Sequence, residues 1–438
     1  MTRIPGRRPS GPAGSTPQGG PVPAAQPHAA GGISAARPPL IRALNAQLLL
    51  DHIRRLGRCS PAELARLSGL SKPTVSLALA EAERCGLVRP AGQRTGVPGR
   101  PARLYEIRPE AGFVLGLDVG LKYLRGALTD LSGGIRAKSS VKVTAAGAGG
   151  RVAELIGLAD ALCEQAGITR RAVTQTVIGC PGVYDPHRDS MALPGGITGW
   201  GRPGVLAGLR QAFGPGLVIE NDVNAATLAE RTHGHGRGVR DFAFVWIGTG
   251  IGLGLVIDGR LHRGRHGVAG EIAYMPLAGD GGADGRDARR RGILEAAASA
   301  SGVVRAARRA DMRGPLSARR VFAAAAAGDR RAAAVVRAEA RLIAKAVCSA
   351  VTVVDPELIV LGGGIGQAPG FAAAVSDELA QMAPVMPEVQ VSALGTDAVV
   401  DGCIAAGTEF AWRLLTAAVS RPPHDGGLPP AASGTAGS

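Results

Sequence analysis

The sequence FVLGLDVG at residues 113–120 and the sequence FAFVWIGTGIG at residues 242–252 follow one pattern. Each is an apolar run of strand length that ends in glycine, and each leads into a second apolar strand and a second turn, Ser132-Gly133-Gly134 or Asp258-Gly259. Helical patterns at 151–166 and 331–353 lie between and after these units. The repeat predicts a duplicated α/β body with a cleft between two lobes, whose glycine loops let backbone N–H groups approach phosphates.

The first 110 residues predict three helices followed by two strands. The first helix ends near Gly57. Ser60 and Glu63 have the spacing of a capping box, and Ser71 caps a third helix that ends at Gly86. Strands that begin at Leu87 and Ala102 flank a basic, glycine-rich wing at 93–101. This order predicts a winged helix-turn-helix domain over residues 40–110. Its predicted inward-facing residues are Ile41, Leu44, Leu48, Leu49, Ile53, Leu56, Leu64, Leu67, Val75 and Leu79.

The net charge of +15 is concentrated in this N-terminal part. Residues 1–110 contain 16 Lys or Arg and 6 Asp or Glu, which leaves +5 for the other 328 residues. The excess predicts a polyanionic partner, and the winged helix makes duplex DNA the expected one, with a helical protein–protein module as the alternative. Aromatic residues make up 3% of the chain, which argues against stacking on single strands. The predicted DNA contacts are Ser71, Lys72, Thr74 and Ser76 on the third helix and Arg94, Arg100 and Arg103 in or beside the wing.

Composition sets the limits of the folded part and the class of protein. Residues 1–39 and 419–438 are rich in Pro, Gly, Ala and Ser, so we predict a disordered arm and a disordered tail. The chain has no long apolar run, which argues against membrane insertion and secretion. We therefore expect a cytoplasmic protein. Neither a disulfide framework nor a Cys-rich zinc site is expected, because no C-x-x-C pair occurs among the cysteines Cys59, Cys85, Cys163, Cys180, Cys348 and Cys403.

Several stretches of the body resemble one known family. They are IGCPGVYD at 178–185, VIENDVNAATLAE at 218–230, GIGLG at 250–254 with Gly270-Glu271, and DPELIVLGGG at 355–364. With the winged helix, the chain resembles the ROK family (repressors, open reading frames and sugar kinases) over about residues 40–415. It is most similar to the repressor branch, with its xylose-operon and N-acetylglucosamine repressors. The resemblance implies an α/β fold in which the winged helix-turn-helix precedes a two-lobed, actin-like (ribonuclease H-like) sugar-kinase body at 111–418.

The resemblance also implies a sugar site. Asn221 and Asp222 would bind sugar hydroxyls, and in the family's kinases this Asp is the catalytic base on the phosphorylated hydroxyl. Glu271 and Glu295 would accept further hydroxyls, and Tyr274 stands at the position of a sugar-contacting His.

Two departures from the family pattern bear on activity. The kinases read Asp-x-Gly-Gly-Thr at the first phosphate loop, whereas this chain reads Asp118-Val-Gly120-Leu121-Lys122, which adds bulk where backbone meets phosphate. The family's zinc ligands have no counterpart either, because Tyr274 replaces the His and residues 279–294 contain no Cys. We therefore predict no structural zinc and no cofactor, with His262 and His266 structural or solvated. The predicted vestigial nucleotide site consists of Asp118, Gly120, Gly248, Thr249, Gly250 and Gly363.

These features predict a sugar-responsive DNA-binding regulator, a repressor without phosphoryl-transfer activity. Its partners would be an operator duplex, a sugar or sugar phosphate effector, and further copies of the chain in a homodimer or homotetramer. An ATP-dependent hexose kinase is the enzyme alternative. A ligand-independent regulator whose body only oligomerises is a third possibility. The low net charge of the body favours a neutral sugar over a polyanion as its ligand.

Overall fold

A computed structural model describes residues 38–94, 102–193, 196–276 and 285–419. The predicted arm and tail lie outside these residues, except that Pro38, Pro39 and Val419 belong to helices. Most of the predicted wing, residues 95–101, also lies outside them. The N-terminal domain consists of α1 (Pro38–Leu56), α2 (Pro61–Ser68), α3 (Lys72–Arg84), β1 (Val88–Arg94) and β2 (Ala102–Ile107), with the two strands antiparallel.

Local sequence signals set the helix ends of this domain. Ser60 and Glu63 form the predicted capping box at the start of α2, which ends at Gly69 in the left-handed conformation, with φ 70°. Ser71 accepts a hydrogen bond from the backbone N–H of Thr74 and so caps α3. Val75 and Leu79 are buried on α3, as predicted.

The predicted inward face of α1 is wrong in part. The side chains of Ile41, Leu44, Leu48 and Leu56 are 38–58% exposed, and Leu67 on α2 is exposed as well. α1 packs against α3 and β2 with a face turned slightly further round the helix. The residues that this face buries are Ala46, Leu49, Leu50 and Ile53.

The body contains the predicted duplication. The first lobe has β3 (Phe113–Val119), β4 (Tyr123–Asp130), β5 (Ile135–Lys142), α4 (Ala148–Gln165), β6 (Val173–Cys180), β7 (Val183–Asp185), β8 (Ser190–Ala192), α5 (Pro203–Phe213), β9 (Val218–Asn221) and α6 (Asp222–His233). Its main sheet has the order β5-β4-β3-β6-β9, with antiparallel pairing up to β3 and parallel pairing beyond it.

The second lobe repeats this topology. It has β10 (Phe242–Ile247), β11 (Ile251–Ile257), β12 (Arg260–His262), α7 (Gly285–Arg291), α8 (Ile293–Ala298), α9 (Ala300–Arg309), α10 (Ala318–Ala326), α11 (Arg330–Val354), β13 (Leu358–Gly362), α12 (Gly363–Gly366), α13 (Phe371–Leu379) and β14 (Glu388–Val391). The sheet order β12-β11-β10-β13-β14 has the same sequence of antiparallel and parallel pairs as the first sheet. A duplicated sheet of this kind places glycine loops of both lobes at the strand ends.

Two helices connect the parts of the molecule. α6 packs against β10 and β11 of the second lobe, where Gly254 leaves room for the Thr227 side chain. The final helix, α14 (Ala398–Val419), packs against α6 and β3. Farther along α14, Ala411 and Trp412 share one apolar cluster with the winged helix, and the Arg54 guanidinium lies 5.8 Å from the Trp412 ring centre. The winged helix is therefore docked on the body through α14.

Within the described ranges, no helix has both the length and the apolar character required to cross a bilayer.

Candidate functional site

Asn221 and Asp222 lie where β9 ends and α6 begins. The Asn221 side chain caps α6, because its carbonyl oxygen accepts a hydrogen bond from the Asn224 N–H at 3.0 Å. Its amide nitrogen donates to the Gly182 carbonyl at 3.1 Å. Asp222 is the first residue of α6 and accepts from the Val223 N–H at 2.9 Å through one oxygen. The helix terminus thus fixes both side chains that the sequence assigned to a sugar.

An ion pair between the lobes supports this terminus. The buried Glu220 carboxylate accepts hydrogen bonds from the Asn221 N–H at 3.1 Å and from the Asn224 side chain at 3.2 Å. It also accepts from Arg263 Nε at 2.9 Å. Glu220 belongs to β9 of the first sheet, whereas Arg263 follows β12 of the second. Sequence reasoning missed Arg263, and no pattern in the chain pointed to it.

Acidic side chains from both lobes converge in the cleft. Burial raises the pKa of Asp222 to about 6 and that of Glu271 to about 7. The nearby charges of Asp222 and Glu295 raise the pKa of Glu271 further, and burial, then Glu271 and Glu295, raise that of Tyr274. The structure therefore brings the predicted residues Asp222, Glu271, Tyr274 and Glu295 close together. Hydroxyls of a sugar are suitable donors to such a group of oxygens.

Glu295 is held more tightly than the sequence suggested. One of its oxygens accepts from the Ile251 N–H at 2.9 Å, and the other accepts from Arg291 Nε at 2.7 Å. The same guanidinium donates to the Thr249 carbonyl at 2.8 Å, so Arg291 joins Glu295 to the second glycine loop. Arg291 stands four residues before Glu295, but the two residues lie on different helices, so their spacing alone does not indicate the pair.

The predicted first phosphate loop begins at an ion pair of Asp118. Asp118 is buried, and its carboxylate pairs with Arg125 at 3.2 Å. Burial and the charge of Asp222 raise the pKa of Asp118 to about 7 against the opposing effect of Arg125. Arg151 donates to the Gly120 carbonyl at 2.5 Å, while the Leu121 side chain is 44% exposed beside the loop, next to exposed Lys122. Asp118 therefore already has a cation as its partner.

The other glycines of the predicted nucleotide site lie at strand ends of the second lobe. Gly248 and Gly250 form the turn between β10 and β11, where the Gly248 N–H donates to the Gly250 carbonyl at 2.9 Å. Gly363 has φ 78°, and a Cβ there would overlap the Ile247 carbonyl. The loops at Gly248 and Gly364 are neighbours. The second lobe thus retains two adjoining glycine loops.

The residues around Tyr274 do not fit the zinc ion that the resemblance implies. Tyr274 stands where the resemblance places a His ligand, residues 279–294 contain no Cys, and part of the expected segment, residues 277–284, lies outside the described residues. His266 lies in a loop with Nδ1 3.6 Å from the Asp185 carboxylate, and His262 ends β12. No cluster of three metal-ligating side chains occurs in the part of the chain that the structure describes.

The start of α3 forms the candidate DNA interface. Ser71, Lys72 and Ser76 are exposed, whereas the Thr74 hydroxyl is 2.8 Å from that of Ser71 and takes part in the cap. Leu77, which follows Ser76 on α3, is 66% exposed and was missed by sequence reasoning. An apolar side chain on a reader helix can contact the methyl group of thymine.

The basic residues near the wing differ in their surroundings. Arg103 pairs with Glu83 at 3.0 Å, and its guanidinium lies 5.2 Å from the Tyr105 ring centre. Arg103 therefore ties β2 to the end of α3. Arg100 and the side chain of Arg94 lie outside the described residues, so their DNA contacts stay predictions.

Comparison with known proteins agrees with this division. A model of the ROK family matches residues 114–407, and a model of the MarR family matches residues 46–96. The bifunctional enzyme NanE/NanK of Brucella suis biovar 1 (strain 1330) is 38% identical over 192 residues, which cover 44% of this chain and 34% of that enzyme. The xylose repressor of Bacillus subtilis (strain 168) is 25% identical over 237 residues, which cover 54% of this chain and 61% of the repressor.

The fold has a close structural counterpart. A ROK family transcriptional regulator, a homologue of the E. coli MLC protein, superposes with a TM-score of 0.71 and 23% identity. The superposition covers 87% of this chain and 99% of the regulator, so the likeness in fold includes both the winged helix and the body. Because the ROK match spans most of the folded body, the chain belongs to the ROK family.

Proposed function

We propose that the protein is a sugar-responsive transcriptional repressor without phosphoryl-transfer activity. The observation that carries this proposal is the presence, in one chain, of a winged helix and of a ROK body whose Asp118 is paired with Arg125. In a homodimer, a sugar held at Asp222 and Glu271 changes the relative placement of the two winged helices. The sugar must bind the DNA-competent and DNA-incompetent states unequally for this to occur.

The loss of kinase activity follows from the first phosphate loop. Phosphoryl transfer depends on positioning and on metal ions that neutralise developing charge. The Arg125 guanidinium neutralises the Asp118 carboxylate instead, and Leu121 adds a side chain where a kinase has glycine. Both features disfavour a bound nucleotide with its metal ion beside the sugar.

The effector that we propose is a neutral sugar. The cleft presents carboxylates and the Tyr274 hydroxyl, which suit sugar hydroxyls and disfavour a phosphate group. Relatives of about one quarter identity are xylose repressors, so xylose is the first sugar to test. Arg291 and Tyr274 give this cleft a lining of its own.

A thermal-shift panel of pentoses, hexoses, amino sugars and their phosphates tests the proposal. We expect one neutral sugar to raise the melting temperature of the wild type and to have no such effect on Asp222→Asn. The exposed Asp258→Asn change, in the β11–β12 turn, is the matched control and should retain the shift. Footprinting on DNA near sugar-utilisation genes should then show a protected operator whose occupancy the same sugar alters. A protein that responds to no sugar, or protects no operator, contradicts the proposal.

A ROK hexose kinase is the second candidate, favoured by the similarity to an N-acetylmannosamine kinase of Citrobacter koseri at 36% identity and to a glucokinase of Halalkalibacterium halodurans at 32% identity. Coupled detection of ADP release across common hexoses tests it. We expect no turnover above that of Asp222→Asn, and ATP-dependent turnover that this substitution abolishes would reverse the ranking.

A further inference from the structure

The body does not carry its charge evenly. Residues 285–331 contain 12 Arg and 4 Asp or Glu, a net charge of +8, whereas residues 111–438 as a whole carry +5. The rest of the body is therefore negative, at −3. The near-balanced charge expected for the body is the average of two regions of opposite sign.

The positive region forms one surface of the second lobe. α9, α10 and the start of α11 pack against one another. Arg331 donates to the Asp311 carbonyl at 3.1 Å, which joins the start of α11 to the loop after α9. Arg313 and Arg331 line one depression of about 370 Å³ at this junction, together with Asp311, Met312 and Asp329. We define the arginine surface as Arg308, Arg313, Arg319, Arg320, Arg330 and Arg331.

Four arginines of this surface have no partner in the described part of the chain. Arg308, Arg313 and Arg319 are exposed, as is Arg330, and the side chains of these four make no hydrogen bond or ion pair with any described residue. Two of the surface arginines lie in the first turn of α10, which has a serine N-cap and no acidic residue, and two lie in that of α11, where the N-cap carboxylate of Asp329 offsets part of their charge. Cations at a helix N-terminus are repelled by the helix dipole. The arrangement at α10 therefore lowers the stability of the free protein.

The chemistry of the surface identifies its partner. No large apolar side chain is exposed between residues 285 and 352, so the surface lacks the apolar anchors of protein interfaces and membrane-binding helices. It also lacks exposed aromatic rings on which unpaired bases would stack. Arginine forks match the oxygens of a phosphate backbone. We propose that the arginine surface is a second contact for duplex DNA, which binds phosphates without reading sequence.

The two DNA contacts lie on different parts of the molecule. The winged helix is docked on α14 and the first lobe, whereas the arginine surface belongs to helices of the second lobe. A short operator reaches only the winged helix, and a longer duplex or a second duplex segment reaches both. This inference extends the proposed function, since it assigns DNA binding to the body as well.

The experiment uses the full chain and a long duplex of random sequence, so it requires neither an operator nor an effector. Dissociation constants are measured over a range of salt concentrations for the wild type and three variants. The first removes the four free charges of the arginine surface, the second removes four exposed arginines elsewhere on the body, and the third is Lys72→Glu in the winged helix. The four-site variants are R308Q/R313Q/R319Q/R330Q and, as matched control, R171Q/R202Q/R237Q/R260Q.

We expect the arginine-surface variant to bind the duplex at least about tenfold more weakly at low salt, and the slope of log Kd against log salt to fall by up to about 4. The matched control should change both quantities much less. The arginine-surface variant should melt at or above the wild-type temperature, because two of its four changes remove cations from helix N-termini. That result would separate lost binding from lost folding.

Other outcomes test the inference and the proposed function separately. If the arginine-surface variant keeps the wild-type affinity and salt slope, the inference is wrong, whatever Lys72→Glu does. The inference is equally wrong if this surface binds single-stranded RNA or anionic vesicles and leaves duplex binding unchanged. If Lys72→Glu has no effect on binding to this random duplex while the arginine-surface variant loses it, the inference stands, and the operator footprint alone decides the proposed function.

Discussion

Glu339 lies in the middle of α11, where the apolar core of the second lobe encloses its carboxyl group. Burial raises the pKa of Glu339 well above its usual value of 4.5. Its Oε1 is buried and has no hydrogen-bond partner among the described residues. A carboxyl group in this position stays protonated in the folded chain while the unfolded chain ionises. Glu339 is therefore a local source of instability at neutral pH.

Replacing Glu339 with methionine should raise the free energy of unfolding by about 1–3 kcal/mol at neutral pH, since an unsatisfied buried polar group is removed. The unfolded carboxyl ionises above pH 4.5, so the wild type loses stability as the pH rises from there. The gain from Glu339→Met should accordingly be larger at pH 8 than at pH 5. Urea unfolding at both pH values measures it, with the exposed Glu164→Met as control. An equal gain at both pH values would contradict the assignment.

Glu271 should make sugar binding pH-dependent. Burial raises its pKa to about 7, so the carboxylate forms between pH 6 and pH 8 and then accepts stronger hydrogen bonds from sugar hydroxyls. We expect affinity for the effector to increase several-fold over this range, and Glu271→Gln to remove most of the increase. Titration calorimetry measures it, with the exposed Glu388→Gln as control. Wild-type affinity that is constant over this range argues against a direct contact.

At the scale of the residue, the sequence predicts only some of the contacts between side chains. Asp118 and Arg125 face each other in the β3–β4 ladder, a register that the turn after Asp118 implies. Arg291 and Glu295 have helical spacing but lie on two helices separated by Gly292, whose φ is 90°. Their contact depends on the break between these two helices at Gly292, which the sequence pattern does not specify. Arg263 and Glu220 meet only through the packing of two sheets.

At the scale of the element, α6 contributes both to the candidate site and to the contact between the two lobes. Its N-terminus carries Asn221 and Asp222, and its side packs against glycines of β11. A Cβ at Gly254 would overlap the Thr227 hydroxyl, which already donates to the Val223 carbonyl at 2.7 Å. The close approach of strand and helix therefore depends on the missing side chain of Gly254, and also on that of Gly252, where a Cβ would lie 2.8 Å from Val223.

Gly254→Ala should destabilise the protein by roughly 1–3 kcal/mol, because the added methyl group forces α6 away from β11. It should also weaken the thermal shift caused by the sugar, since Asp222 moves with the helix. The matched control is Gly157→Ala on the exposed face of α4, where the new methyl group meets no atom and helix propensity improves by about 0.5–1 kcal/mol. Chemical unfolding of both variants measures the difference, and equal effects would contradict a tight α6–β11 contact.

Elements differ in how well the sequence predicts them. The capping residues Ser60 and Ser71 act within one helical turn, so their pattern fixed the starts of α2 and α3 correctly. The inward face of α1 depends on what packs against it, and apolar residues such as Leu44 and Leu48 extend beyond the contacted face. The strand repeat predicted both sheets, because apolar runs and glycine turns are local signals. The two-lobed fold was therefore predictable, and the orientation of single faces was not.

At the scale of the whole molecule, α14 joins the helix of the candidate site to the winged helix. It packs against α6, whose N-terminus lies at the site, and Trp412 farther along it is only 5% exposed within the winged-helix cluster. A displacement of α6 by a ligand can reach the winged helix through this one helix. The coupling needs α14 to have two arrangements that the sugar distinguishes.

Trp412→Ala should uncouple the domains. Loss of a buried tryptophan costs about 3–5 kcal/mol, and here the cost falls on the contact between α14 and the winged helix. We expect separate calorimetric transitions for the two domains and an operator affinity that no longer responds to sugar. Leu414→Ala, at a side chain 55% exposed on the same helix, should preserve a single transition and the response. Persistence of the sugar response in Trp412→Ala would show that the signal takes another route.

The placement of the thiols offers a direct way to observe such a rearrangement. All six cysteines are thiols, and four of them are buried. The two that solvent reaches in part are Cys85, at the end of the reader helix, and Cys348, on α11 of the second lobe. Burial raises the pKa of Cys85, so alkaline conditions favour its alkylation. A donor and an acceptor dye on these two native side chains would report the distance between DNA reader and distant lobe by energy transfer, without any engineered cysteine.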